Sequence, residues 1–352
     1  MSVLAPRENP SLFGHDQALS VFVRALRSGR LPHAWLLGGA PGIGKATVAY
    51  RLARQVLAVG AGVGDPDNRD TPLFRRVAHG SEPDLFVLEP TAHPRSGKLR
   101  HEITVDQVRG VTASLHETAL GQSGRAVVVD TADVLNSEAA NALLKLLEEP
   151  PVGVVLFLAC HAPGRIPRTL LSRCIRLQLV PLDDRSMRAA LLAAGFASNP
   201  DPALLKLAKG SPGRYARLAV AGFLDQYDEL LAAFSTTSRQ RAGLIGTAER
   251  LVAFGNSSGS DLAVDLLGTV VQRGAEWSTK GALEEPFAPD EATHLSLLVG
   301  RQPLDRWLAM WDKLRRLPFE LDQLNVDPRQ AYYVALAALT GADVVSRDSL
   351  RA

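Results

Sequence analysis

Five short apolar runs divide the first half of the chain, and longer stretches of helical character lie between them. The hydrophobic positions within each run are continuous rather than alternating, which is typical of strands buried on both faces. Strands of this kind that alternate with helices predict a parallel β-sheet with helices on both sides. The runs occupy residues 33–38, 84–89, 126–130, 154–160 and 175–179.

One helix in this half is strongly marked. Residues 136–149 read NSEAANALLKLLEE, and Pro150 and Pro151 follow directly. Asn136 can cap the start of the helix, and Glu138 lies in its positively polarised first turn. The two prolines end the predicted helix.

The sequence after residue 181 shows no further strand pattern. Two helical stretches end near residue 222, and longer Leu- and Ala-rich helical segments continue to about residue 340. We predict an α/β domain with a parallel sheet over residues 1–180, a small helical lid domain over 181–222 and an all-α C-terminal domain over 223–352. Residues 60–81 are rich in Gly, Asp and Arg without a clear period, and we interpret them as a surface excursion.

The composition is that of a globular protein. Hydrophobic residues make up 46% of the chain and charged residues 22%, which is too apolar for a disordered chain. No apolar run approaches the roughly 18 residues that a membrane span needs. The first ten residues lack the apolar core of a signal peptide. We therefore expect a cytoplasmic protein with no membrane partner.

Charge and cysteine content limit the partners that the chain can have. The 39 basic residues nearly balance the 37 acidic ones, leaving a formal net charge of +2. Any contact with DNA must therefore come from local patches rather than from the whole chain. Cys160 and Cys174 are too few for a four-thiolate zinc site and fit a reducing compartment. We predict no metal site.

A candidate nucleotide site begins at residues 38–47, which read GGAPGIGKAT. They match the G-x-x-x-x-G-K part of a phosphate-binding P-loop, and a predicted strand and helix flank them as such a loop requires. The glycines let backbone N–H groups turn toward phosphates, the helix start adds positive potential, and the lysine adds a full charge. The candidate residues for weak binding of ATP or ADP are Gly39, Gly42, Gly44 and Lys45.

Residues that hydrolysis needs are missing around this loop. Ala46 replaces the Ser or Thr that holds Mg²⁺, and Thr47 lies about 100° further round the helix. Thr47 remains a candidate nucleotide contact if the loop shifts in register. An apolar strand ends at Asp130, another candidate, but Thr131 follows where AAA+ ATPases usually carry a water-orienting glutamate. Cys160 ends the fourth strand, where a polar residue would sense the γ-phosphate, so we expect binding without turnover.

Further motifs carry a resemblance to a known family. The runs NALLKLLEEPP at 141–151, LLSRC at 170–174 and GSPGR at 210–214 resemble the clamp-loader branch of AAA+ proteins. The degraded nucleotide site resembles the delta-prime family of bacterial DNA polymerase III. FGHDQAL at 13–19 and LNVDPRQA at 324–331 extend the similarity over essentially the whole chain.

This resemblance implies an AAA+ fold and a place in a five-subunit ring beside the tau/gamma and delta subunits. The chain would not hydrolyse ATP itself, but would help to load a sliding clamp onto primed DNA as a component of a DNA polymerase holoenzyme, a nucleotidyltransferase. Residues 223–352 would form the oligomerisation collar. Arg173, in the SRC motif, would be an arginine finger in the neighbouring ATP site, an effect of about 10³ to 10⁵ in rate. Lys145 could meet a DNA phosphate inside the ring, although a solvated lysine fits equally well.

The chain departs from the family pattern in three places. Residues 60–81 contain no cysteine where some relatives carry a four-cysteine zinc module, so no zinc is expected. Lys45 is present although some relatives have lost it, which keeps nucleotide binding open. Gly213 stands where catalytic relatives place an arginine that senses the γ-phosphate, and Arg214 follows one residue later. This shift puts sensing of the γ-phosphate in question.

Two other interpretations stay open on the sequence. An active AAA+ ATPase of the tau/gamma clamp-loader type would fit the P-loop, but not Ala46, Thr131 and Cys160 together. A nucleotide-binding regulator unconnected with DNA would leave the NALLK and LLSRC motifs unexplained.

Overall fold

The computed structural model describes residues 4–59, 64–91, 102–116, 124–236, 241–299, 304–323 and 326–340. Contacts divide the chain into two compact units. The N-terminal unit comprises Met1–Pro200 and Ala208–Arg214, and the C-terminal unit comprises Asp201–Leu207 and Tyr215–Ala352. The three domains that we predict from the sequence, with boundaries near residues 180 and 222, stay a prediction.

A five-stranded sheet forms the centre of the N-terminal unit. Its strands are β1 (Ala34–Gly38), β2 (Leu85–Leu88), β3 (Arg125–Val129), β4 (Val154–Cys160) and β5 (Ile175–Gln178). The order across the sheet is β2-β3-β4-β1-β5, and every neighbouring pair is parallel. The predicted parallel sheet is confirmed.

Burial differs between the middle of the sheet and its edge. Every residue of β1, β3 and β4 is buried, as expected for strands with helices on both faces. In the edge strand β5 only Leu177 is buried, and Ile175 is 43% exposed. The continuous apolar run that predicts β5 therefore resembles those of the central strands in sequence but not in burial.

Helices cover both faces of this sheet. In the N-terminal unit the helices are α1 (Asp16–Arg27), α2 (Lys45–Ala58), α3 (Pro72–His79), α4 (Val105–His116), α5 (Ser137–Glu148), α6 (Arg168–Leu171) and α7 (Asp184–Ala193). The next two helices along the chain, α8 (Pro202–Ala208) and α9 (Pro212–Val220), belong mostly to the C-terminal unit. The apolar sides of α4 and α5 pack on one face of the sheet together with Val127 and Leu156. On the other face, Phe22 of α1 meets the ring of Trp35 edge-on, with the centroids 5.1 Å apart.

The helix α5 begins and ends close to its predicted limits. The Asn136 side chain accepts a hydrogen bond from the backbone N–H of Ala139 at 2.8 Å, which confirms the predicted cap. The helix ends at Glu148, and Glu149 is its C-cap residue. The Glu148 carboxylate thus lies at the negative end of the helix dipole.

Residues 64–81 are more ordered than the sequence indicates. They contain α3, whose N-cap is formed by Thr71 and which buries three apolar side chains. Asp67 ties this segment to α2, because its Oδ1 accepts hydrogen bonds from Nε and Nη2 of the buried Arg54 at 2.9 and 2.6 Å. The interpretation as a surface excursion is therefore wrong for this part of the segment, while residues 60–63 lie outside the described residues.

The C-terminal unit is helical, as predicted. From residue 223 onward the described elements are α10 (Phe223–Thr236), α11 (Arg241–Ser258), α12 (Ser260–Lys280), α13 (Glu291–Val299), α14 (Leu304–Gln323) and α15 (Pro328–Thr340). Trp307, Met310 and Leu314 of α14 are buried at helical spacing, whereas Leu308 is 57% and Trp311 38% exposed. Throughout the described residues, no helix is both long and apolar enough to cross a membrane.

A buried ion pair joins α12 to α13 in this unit. The Arg273 side chain is 2% exposed and that of Glu291 0%, and Arg273 Nε lies 2.7 Å from Glu291 Oε1. The Tyr227 hydroxyl donates to the same oxygen at 2.7 Å, and the Phe287 backbone N–H donates to Oε2 at 2.6 Å. The buried carboxylate therefore has donors on both of its oxygens, which a buried charge requires.

Candidate functional site

The P-loop connects β1 to α2 at the carboxyl edge of the sheet. Gly38, the last residue of β1, lies opposite Cys160, the last residue of β4, and α2 begins at Lys45. Gly44 is the N-cap of this helix with φ of 104°, and Gly42 has φ of 73°. Both values lie in the region that favours glycine, so the loop conformation depends on these two residues.

Lys45 is the charged group of the loop. Its side chain is buried, and Nζ donates hydrogen bonds to the backbone oxygens of Gly39 and Ala40, both at 2.7 Å. Burial lowers the pKa of Lys45 to about 8, and the negative charges of Asp133 and Asp130 act in the opposite direction. At pH 7 the ammonium is therefore mostly charged and can still attract a phosphate.

The two residues after the lysine open the helix α2. Ala46 places a methyl group where P-loop ATPases carry a hydroxyl, and Thr47 is the next residue in the first turn of α2. Both side chains are partly exposed. Nothing in the structure tests whether Thr47 contacts a nucleotide.

Four residues from two loops meet beside Lys45. The Thr131 hydroxyl donates to Asp130 Oδ1 at 3.2 Å and lies 3.4 Å from His161 Nε2. Asp133 Oδ1 accepts the backbone N–H of His161 at 2.9 Å. Asp133 lies in the short 3-10 helix Ala132–Val134, and its negative charge favours the charged form of Lys45.

Cys160 contributes no charge to this group. Its thiol is fully buried, and burial raises the pKa of Cys160 to about 11. A neutral thiol is only a weak hydrogen-bonding group, and the loss of γ-phosphate sensing at this position stays a prediction.

The start of α9 lies directly on the P-loop. The Ser211 hydroxyl donates to the Pro41 oxygen at 2.8 Å, and the Gly213 N–H donates to the Gly42 oxygen at 2.9 Å. A Cβ at Gly213 would lie 2.8 Å from that Gly42 oxygen, and a Cβ at Gly42 would lie 2.6 Å from the Arg214 nitrogen. Two glycines thus let two backbones touch, which gives a steric reason for the missing arginine at 213.

A histidine that precedes the helix α1 contacts the same loop. His15 is buried, and its Nε2 lies 3.0 Å from the Ile43 backbone oxygen. Burial lowers the pKa of His15, so the neutral ring is favoured. The sequence did not single out His15, although it lies in the FGHDQAL motif.

Arg173 lies apart from these groups, in the turn after α6. Its side chain is 36% exposed and pairs with Glu148, whose side chain is 44% exposed, at an Nη2–Oε1 distance of 2.7 Å. Nη1 donates to the Thr169 backbone oxygen at 2.9 Å. Lys145 is exposed on α5, and nothing in the structure tests its predicted contact with DNA.

Within the described residues, no group of three or more His, Cys, Asp or Glu side chains is arranged to hold a metal ion. Cys160 and Cys174 are buried free thiols.

Comparisons with known proteins identify the segment that carries this site. A family model described as "DNA polymerase III, delta subunit" matches residues 14–183. The DNA polymerase III delta-prime subunit of Pseudomonas aeruginosa is 34% identical over 224 residues, which are 62% of this chain and 65% of that protein. The delta-prime subunit of Escherichia coli is 34% identical over 197 residues, which are 54% of this chain and 55% of that protein. Residues 14–183 are thus similar to the family of that model, and the chain is similar to these two delta-prime subunits.

The segment that the family model matches contains the P-loop, Asp130, Lys145 and Arg173, whereas Gly213 lies beyond it. A tau/gamma subunit from Haemophilus influenzae is 28% identical over 218 residues, which are 60% of this chain and 30% of that protein. The chain spans less than two thirds of each of these three relatives. A gamma subunit-related protein from Thermotoga maritima aligns with 93% of this chain and 99% of its own, at 14% identity and a TM-score of 0.43, a likeness too low to argue from.

Proposed function

We propose that this chain is a non-hydrolysing, delta-prime-like subunit of a DNA polymerase III clamp loader. In this proposal it assembles with tau/gamma and delta subunits, helps to place a sliding clamp on primed DNA, and supplies Arg173 to the ATP site of a tau/gamma neighbour. One observation carries the proposal: the chain keeps an exposed SRC arginine while its own P-loop is followed by Ala46 and its third strand by Asp130-Thr131. An arginine finger acts in trans, so it can be retained when the chain's own site has lost the residues for hydrolysis.

The chain's own site supports weak nucleotide binding without turnover. The loop glycines Gly39, Gly42 and Gly44 and the charged Lys45 can attract phosphates, and Thr47 and Asp130 border them. The Thr131 hydroxyl already bonds to Asp130 and has no charge with which to activate water, a loss that typically costs about 10² to 10⁴ in rate.

The alternative is an active ATPase of the tau/gamma type, and the carboxylates of Asp130 and Asp133 beside Lys45 favour it. Purified chain incubated with ATP and Mg²⁺ separates the two functions, with Lys45→Ala as the background control. A kcat in the usual enzyme range of about 1 to 10³ s⁻¹ would contradict the non-hydrolysing assignment.

Arg173→Ala tests the finger. The variant should fold and assemble, because its ion pair is exposed and contributes little to stability. Hydrolysis by the neighbouring subunit should fall by up to about 10³ at that one interface, so bulk ATPase activity falls partially and clamp loading falls more. Arg173→Lys should restore little, because an ammonium lacks the planar fork of the guanidinium. Arg168→Ala, an exposed arginine on α6, is the matched control, and wild-type clamp loading by Arg173→Ala would refute the assignment.

The collar assignment and the DNA contact are the remaining parts of the proposal. Leu308 and Trp311 expose apolar surface on α14, which suits an interface between subunits. Deleting residues 223–352 should abolish ring assembly. If Lys145 contacts a DNA phosphate, Lys145→Ala should weaken DNA binding by the assembly. The slope of the logarithm of the binding constant against the logarithm of salt concentration should then become shallower by about one.

A further inference from the structure

The arginine of the SRC motif is held in place by its own chain. Two hydrogen bonds fix the Arg173 guanidinium, one to the Thr169 backbone oxygen at 2.9 Å and one to Glu148 Oε1 at 2.7 Å. The first partner lies one helical turn earlier in α6, and the second lies 25 residues earlier in the chain. The guanidinium is therefore oriented by two elements of the N-terminal unit.

Glu148 is not explained by the stability of its own helix. It is the last residue of α5, where the helix dipole disfavours a carboxylate and favours a cation. The ion pair with Arg173 is 36% and 44% exposed at its two ends, and pairs as exposed as this contribute little to folding. The ion pair does restrict the conformational freedom of the long, flexible Arg173 side chain.

The geometry leaves the guanidinium able to act on another molecule. Arginine has five N–H donors in a planar fork, and the two bonds described here join one hydrogen of Nη1 and one of Nη2 to protein oxygens. With its side chain 36% exposed, Arg173 can offer further N–H groups to an incoming anion while its stem stays oriented. Orientation of this kind lowers the entropy that is lost when the anion binds.

We propose that Glu148 is a positioning residue, which holds the Arg173 guanidinium in the orientation needed at the phosphates of a nucleotide bound by the neighbouring subunit. This inference rests on the proposed function of Arg173. Glu148 does not touch the nucleotide in this scheme and acts only through the arginine.

A reconstituted ring tests the inference, assembled so that only the ATPase subunit facing Arg173 keeps its P-loop lysine. Steady-state hydrolysis with DNA and clamp is measured for Glu148→Ala, Glu148→Gln, Arg173→Ala and the double variant. Glu149→Ala is the matched control, because Glu149 is the next residue and is also exposed. Gel filtration establishes that each variant assembles, and partner concentrations are saturating.

Glu148→Ala should lower kcat by about two- to fivefold, the scale of an exposed ion pair, with little change in KM for ATP. Glu148→Gln should recover most of the rate, because an amide oxygen can accept the same hydrogen bond. The double variant should be no slower than Arg173→Ala, because Glu148 has nothing to position once the guanidinium is gone. The control should match the wild type.

The two hypotheses fail in different ways. A wild-type rate for Arg173→Ala overturns the finger and the inference together. A slow Arg173→Ala combined with an unchanged or faster Glu148→Ala overturns the inference alone, and a faster variant would mean that Glu148 restrains the arginine instead. A further loss on adding Glu148→Ala to Arg173→Ala also overturns it, as does failure of Glu148→Gln to recover the rate.

Discussion

Adding one methyl group at Gly213 should weaken the contact between α9 and the P-loop. In Gly213→Ala the new Cβ would lie 2.8 Å from the Gly42 oxygen and 2.9 Å from Gly42 Cα. Both atoms belong to the backbone, so a side chain cannot simply move aside. Ordinary contact begins at 3.4 Å, so the two segments must separate by 0.6 Å, the difference between 3.4 and 2.8 Å.

This separation also breaks a hydrogen bond. The Gly213 N–H lies 2.9 Å from the Gly42 oxygen, and a shift of that size takes it beyond the usual limit of about 3.2 Å. Overpacking costs about 1–3 kcal/mol and the lost bond about 0.5–1.5 kcal/mol. Replacing a glycine inside a helix returns about 0.5–1 kcal/mol. We therefore expect a net loss of about 0.5–4 kcal/mol in the free energy that keeps residues 211–213 on the loop.

Hydrogen exchange on the full chain, followed by mass spectrometry, measures this loss directly. Peptides covering residues 38–47 and 208–216 should exchange about 2- to 900-fold faster in Gly213→Ala, because this loss of free energy raises the equilibrium constant for local opening by that factor. Gly110→Ala is the control, because Gly110 lies in α4 and a Cβ there would have nothing within 4 Å. That variant should be stabilised by up to about 1 kcal/mol. Unchanged exchange in both peptides of Gly213→Ala would refute the reasoning.

Two further predictions concern buried charges. Because the pKa of Lys45 is lowered to about 8, the ammonium of Lys45 loses its proton above that pH when no nucleotide is bound. Calorimetry should therefore show that nucleotide affinity falls by up to about tenfold per pH unit between pH 8 and 10. Lys45→Arg, which stays charged, should show a flat profile, and a flat wild-type profile would contradict the role of Lys45. In the C-terminal unit, Glu291→Ala removes the fully buried carboxylate that faces Arg273, which keeps the Glu276 carboxylate at 3.0 Å, and should cost up to about 3–5 kcal/mol in urea unfolding. Glu284→Ala, whose carboxylate is 74% exposed, should change stability by less than about 1 kcal/mol, and equal effects for the two variants would argue against the buried pair.

Local patterns in the sequence predicted most of the sheet and the P-loop. A run of buried positions, a glycine turn and a helix cap each depend on a few neighbouring residues, as in HAWLLG, GGAPGIGK and the Asn136 cap. The exposure of β5 could not be predicted in this way, because it depends on which strand ends the sheet. The helix α3 was missed because its three buried apolar residues are mixed with arginines and histidine in a stretch of only eight residues.

The sequence predicted the part of the candidate site whose residues are contiguous, which is the P-loop. It did not predict the contacts between residues of separate loops. The contact of Asp133 was not predicted: a short 3-10 helix at Ala132–Val134 brings its carboxylate to the backbone of His161, 28 residues away. The sequence shows that Gly213 lacks the arginine of catalytic relatives, but it could not predict the close approach of the Gly213 and Gly42 backbones. The partner of Arg173 was not predicted, because nothing local in SRC points to Glu148.

The exposed strand β5 has a consequence for the chain before it meets any partner. The sheet order ends at β5, and in the part of the chain that the structure describes no further strand pairs with its outer edge. Such edges are templates for aggregation between identical chains. Residues 174–180 read CIRLQLV, and the exposed Arg176 supplies the one charge in this window. With valine there, the segment would have the high β-propensity and lack of charge that mark aggregation-prone sequences. The charge of Arg176 interrupts this pattern in the edge strand, as the gatekeeper residues of natural sequences do.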